Sequence, residues 1–151
     1  MKKIKSLLVL GIVVALGTLG SCSSTDDGPS TEASIVGKWT PVKTVSVTGS
    51  ANTTIPYEDN EPNCDKDYIE FGTGNSFRRI TYFKDGDNNC TQQSATAQTY
   101  TKNNETLTIS GGLYAGTFEI IKLTSSELRI EQQSTSGGIT TTNTIYFSKV
   151  Q

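Results

Sequence analysis

The sequence predicts a single all-β domain, an eight-stranded antiparallel up-and-down sheet able to close into a barrel, and three features carry that prediction. Thr occurs 23 times in 151 residues, alongside Tyr, Val and Ile, while Ala, Leu and Met show no helical spacing; such a composition favours strands. Several segments alternate apolar and polar residues with period two, as half-buried antiparallel strands do. Turn signals rich in Gly, Asn and Ser recur at a regular beat, and short links imply that successive strands pair in order. Closing the meander removes its edges. Two facing sheets, a β-sandwich, are the other architecture the same pattern allows.

The first strand is read over 38–48, around the only Trp, Trp39. Residues 49–66 are the one long irregular stretch, with Asn52, Pro56, Tyr57, Asn60, Pro62 and Asn63; a loop of that length in a compact domain is typically a functional flap or lid. Tyr68–Phe71 follows, then the turn Gly72-Thr73-Gly74-Asn75 and a strand over 76–83, ended by 84–89. The segment 92–102 passes through Asn103-Asn104 into 105–110, where Leu107 and Ile109 alternate with Thr106, Thr108 and Ser110, and Gly111-Gly112 closes it. Gly116–Leu123 stops at Thr124-Ser125-Ser126. In 127–134, Leu128 and Ile130 alternate with Glu127, Arg129 and Glu131. Ser136-Gly137-Gly138 opens the last strand, 138–149, with Ile139, Ile145 and Phe147 on one face and Thr140, Thr142 and Tyr146 on the other.

Composition also excludes chemistry. The chain has no His, which removes the commonest general base and metal ligand. With 13 Lys+Arg against 15 Asp+Glu it offers no basic field for a phosphate backbone, so no nucleic-acid partner is expected. Glu70, Glu119 and Glu131 alternate with apolar neighbours and so face solvent rather than each other across a cleft, and Arg78-Arg79 is too small a patch to mean more than local pairing. Asp85-Gly86-Asp87-Asn88-Asn89 starts like an EF-hand loop, but position six is Cys90 and position twelve is Thr96, so it reads as a polar hairpin turn. Glu58, Asp59, Glu61, Asp65 and Asp67 read as a solvated acidic loop. No catalytic residue, metal or cofactor is expected.

The N-terminus carries an address. Met-Lys-Lys-Ile-Lys precedes an apolar run from Leu7 to Leu16, too short to span a bilayer, then small residues at Gly20 and Ser21. Leu19-Gly20-Ser21-Cys22 resembles the lipobox of bacterial lipoproteins. That resemblance implies a signal peptide over 1–21 and a diacylglycerol-bearing Cys22 as the mature N-terminus. Several acyl chains hold a protein stably where one does not. The polar residues 22–33 read as a tether, leaving 34–151 as the domain. Asp26-Asp27 also resembles an export signal to the outer face of the outer membrane. The expected location is therefore the cell envelope, as an outer-membrane lipoprotein on its periplasmic or surface-exposed face. The three basic residues of the leader removed, 10 cations face 15 acids, a balance of −5. Cys64 and Cys90 remain, and an oxidising compartment makes them a natural disulfide pair, with two free thiols or a two-sulfur metal site as the alternatives.

Ile35-Val36-Gly37-Lys38-Trp39 opens the domain. Gly-x-Trp at the start of the first strand resembles the opening motif of the lipocalins, where the Trp closes the bottom of an eight-stranded barrel. The run from Cys64 to Phe71, the turn Gly72–Asn75 and then Cys90 are similar to the lipocalin-like domains of bacterial envelope lipoproteins, over roughly 34–150. The family's late Arg, which stacks on the Trp, has only Lys149 in the last strand and Arg129 one strand earlier to match it. The resemblance implies a small apolar ligand. An eight-stranded barrel is either filled by side chains or holds one small molecule. The residues that decide are Phe71, Phe77, Ile80, Tyr82, Tyr100, Leu113, Tyr114, Phe118 and Ile120, with Trp39 at the base. The function expected is a monomeric, lipid-anchored, non-catalytic carrier of a small hydrophobic molecule. The competing reading is a structural module with a filled barrel that engages envelope proteins or glycans through its loops.

Overall fold

The computed structural model describes residues 33–59 and 61–151. The leader 1–21, Cys22 and all of the tether but Ala33 lie outside them. Ten strands follow in order: β1 (Gly37–Thr48), β2 (Ala51–Pro56), β3 (Tyr68–Phe71), β4 (Ser76–Lys84), β5 (Cys90–Ser94), β6 (Gln98–Asn103), β7 (Thr106–Ile109), β8 (Gly116–Leu123), β9 (Glu127–Ser136) and β10 (Ile139–Lys149). All pairings are antiparallel, and β10 pairs with β1, closing the sheet into a barrel.

Ten strands fill eight positions. Both β2 and β3 pair with β1 on the same side, at Lys43↔Pro56 to Thr48↔Ala51 and at Gly37↔Phe71 to Trp39↔Ile69, so they are one barrel strand interrupted by residues 57–67. Likewise β5 and β6 both pair with β4 and form one strand broken at 95–97. The order is the expected meander. A third of the expected 49–66 loop is therefore strand, because the backbone of 51–56 finds a partner in β1 although every one of its side chains is exposed.

The lower half of the barrel is filled by apolar side chains. Trp39, Phe71, Leu107, Leu128, Ile130 and Phe147 are at most 1% exposed, and the rings of Phe71, Phe77 and Tyr100 pack at centroid distances of 5.1 and 4.9 Å. Trp39 closes the base. Its indole N–H donates to the Ile35 carbonyl at 2.7 Å, and the Lys149 ammonium lies 4.2 Å from its ring centre while donating to the Val36 carbonyl at 2.7 Å. Lys149 is thus the cation on the Trp. Arg129 stands outside the wall, paired with Glu127 and 4.8 Å from the Tyr146 ring. Burial lowers the Lys149 pKa.

Candidate functional site

The site is the open end of the barrel, and register decides which side chains reach it. In β3 and β4, Phe71↔Phe77 and Ile69↔Arg79 face inward, so Tyr68↔Ile80 and Glu70↔Arg78 face outward. Ile80 and Tyr82 therefore do not face the interior. Ile80 is buried yet stands apart from the interior cluster, and Tyr82 lies on the outer face with Tyr68 and Lys38. Trp39, Phe71, Phe77 and Tyr100 are packed core beneath the mouth. Ile120 points to the closed end, beside a hollow of about 680 Å³ that Ala33, Lys102, Glu105 and Leu123 also line. Of the residues singled out in the sequence, Phe118, Tyr114 and Leu113 reach the mouth.

Above the core lies a cavity of about 430 Å³. Its walls are Pro41, Thr44, Ile55, Tyr57, Phe118, Gln132, Asn143 and Ile145, with Lys43, Pro56 and Glu58 at the edge. The β7–β8 link supplies its floor. A turn at Gly112 (φ +76°) tucks Tyr114 inward, 6.1 Å from Phe77 and 6.0 Å from Phe147, and leaves Leu113 exposed at the rim. Tyr114 separates this cavity from a second recess of about 260 Å³ lined by Phe77, Arg79, Ala95 and Thr96. Burial, helped by the nearby Tyr57 and Asp67, pushes the Tyr114 pKa up to about 12.

The shortened flap, residues 57–67, carries polar groups into the mouth that sequence reading missed. Tyr57 continues the β1 ladder, its N–H on the Val42 carbonyl at 2.9 Å, and its hydroxyl donates to the Asp67 carboxylate at 2.7 Å. Burial first, then this bond, raises the Tyr57 pKa against the opposing pull of Arg79. Asp67 is 1% exposed and also accepts the Tyr82 N–H at 2.8 Å. Cys64 and Cys90 form a disulfide, with Cα atoms 5.5 Å apart, that ties the flap to β5. Asp67 looked like one more solvated acid; only its place next to a strand start hinted otherwise.

The other polar candidates sit outside this mouth. The Asp85 carboxylate accepts the Asp87 and Asn89 N–H groups at 3.0 and 2.9 Å inside its own hairpin turn, and these bonds hold its pKa low. Glu70 pairs with Arg78 on the outer face, and Glu131 accepts the Thr144 hydroxyl there.

A sheet closed through β10 and β1, a Gly-x-Trp base and a mouth cavity define a lipocalin-type cup. Residues 35–130 match the lipocalin-like domain family, and the chain belongs to it. Among solved structures it is similar to bovine odorant binding protein complexed with its natural ligand (18% identity, TM-score 0.40, covering 76% of this chain and 70% of that one). It is also similar to a deswapped triple mutant of bovine odorant binding protein (21% identity, TM-score 0.38, 76% and 72% covered). No curated protein sequence matches it.

Proposed function

We propose that this protein is a lipid-anchored, non-catalytic carrier of the cell envelope that takes one small, largely apolar molecule into the mouth of its barrel. The cavity between Ile55, Phe118, Ile145 and the floor residue Tyr114 carries this reading. At about 430 Å³ it lies within the range of small-molecule sites, which are apolar concavities with a few orienting polar groups. The lipobox-like segment at Cys22 supports the anchor, and the disulfide fits an oxidising compartment.

Titration with the apolar fluorophore N-phenyl-1-naphthylamine tests the cavity. The dye should brighten on binding, and Ile55→Glu should weaken uptake by about tenfold or more, since a carboxylate then faces the apolar ligand. Ile55 is 56% exposed, so this change spares the core, and an unchanged melting temperature confirms it. A dye that stays dark with the wild-type protein leaves the filled-barrel interaction module as the function.

A further inference from the structure

One wall of the cup changes chemistry in a single register step. Across β2, β1, β10 and β9, the inward residues nearest the core form the row Ile55–Thr44–Ile145–Ile130. The next inward row is Thr53–Ser46–Asn143–Gln132, and the one above it is Ala51–Thr48–Thr141–Ser134. Two residues along a strand rise about 7 Å. Within that distance an apolar wall becomes one of hydroxyls and amides, and no charged residue stands on any of the three rows. The charged side chains of this wall point outward: Lys43 lies 4.7 Å from the Tyr146 ring, and Glu131 takes the Thr144 hydroxyl.

These polar groups have capacity left. Thr48 and Thr141 share a hydrogen bond at 2.8 Å, and the Gln132 amide nitrogen donates to the Thr117 carbonyl at 3.3 Å, which leaves its oxygen. Among the described residues the side chains of Thr44, Ser46, Thr53 and Asn143 have no hydrogen-bond partner in the protein. Of the cations near the mouth, Lys43 at the cavity edge is held over the Tyr146 ring on the outer face, and Arg79 lies in the second recess, beyond Tyr114 and beside Tyr57 and Asp67. Glu58 at the cavity edge repels an anion.

Resting on the carrier reading, we infer that the ligand is an amphiphile with an uncharged, hydroxyl-bearing head group. Its apolar part fills the space between Ile55, Ile145 and Phe118, and its head meets the Ser46–Asn143–Gln132 row. A charged head on that row would surrender its hydration to groups that carry no charge of their own.

Displacement of N-phenyl-1-naphthylamine by three ten-carbon amphiphiles reads this directly: 1-decanoylglycerol, decanoate and decyltrimethylammonium. The glycerol ester should displace the dye about tenfold more tightly than either ion. Asn143→Leu and, separately, Ser46→Ala should each shrink that preference, read as the ratio of the three displacement constants and corrected for each variant's own dye affinity, to about threefold or less, because each removes a hydrogen-bonding partner of the head. Equal displacement by all three, or a preference for decanoate through Arg79, overturns the inference and leaves the carrier reading standing. Absence of dye uptake by the wild-type protein overturns both.

Discussion

At Gly37 a single missing methyl group decides how the barrel base closes. Its φ is +132°, a backbone region L side chains rarely adopt, and a Cβ there would come within 2.6 Å of the Lys149 ammonium that lies over Trp39. The Gly of the Gly-x-Trp motif is thus the space through which the cation reaches the ring. Gly37→Ala should cost about 1–3 kcal/mol in urea denaturation, from strain and from displacing Lys149, with a change in Trp39 fluorescence. Tyr114 gives a pH signature. Its neutral form is favoured in the fold, so its contribution is intact below pH 10, the ordinary tyrosine value, and is lost as pH rises through about 12. That loss is on the order of 2–3 kcal/mol. Urea midpoints compared at pH 9 and pH 11 should fall further for wild type than for Tyr114→Phe.

Strands show which parts of the fold were legible in the sequence. Leu107 with Ile109 and Leu128 with Ile130 announced themselves by alternation, and all four are at most 2% exposed. β2 and β5 were hidden wholly or in part, because Ala-Asn-Thr-Thr-Ile-Pro and Cys-Thr-Gln-Gln-Ser have no buried face; only pairing with β1 and β4 makes them strands. The site was less legible than the fold. Ile80 and Tyr82 read as interior because they are apolar, yet parity with Phe77 turns them outward. Tyr57 and Asp67, at the two ends of the flap 57–67, give no periodic signal at all. The flap between them is held by the Cys64–Cys90 bond, which closes a loop spanning a sequence separation of 26. Its reduction, or Cys64→Ser with Cys90→Ser, should lower unfolding free energy by about 3.5 kcal/mol on the chain-entropy account, as a shift in urea midpoint.

As a whole the molecule is a filled barrel below and a polar-lined cup above. Packed aromatic rings fill the interior of the lower half, so a guest inside the barrel sits in the cup, whose volume limits it to something small. The proposed anchor belongs to this scale as well. Metabolic labelling with an alkyne fatty acid should mark the protein in its native host, and Cys22→Ala should abolish the mark and release the protein from the membrane fraction; persistent labelling of the variant would remove Cys22 from the account.

Ala33 stands at the closed end, beside the hollow under Ile120 and Leu123, and so at the opposite pole from the rim. The 12 residues of β1 run about 40 Å along the strand from the base toward the rim. A chain fastened through Cys22 would then have its stem leave from the base, and the rim that takes up the proposed cargo would lie clear of that attachment point.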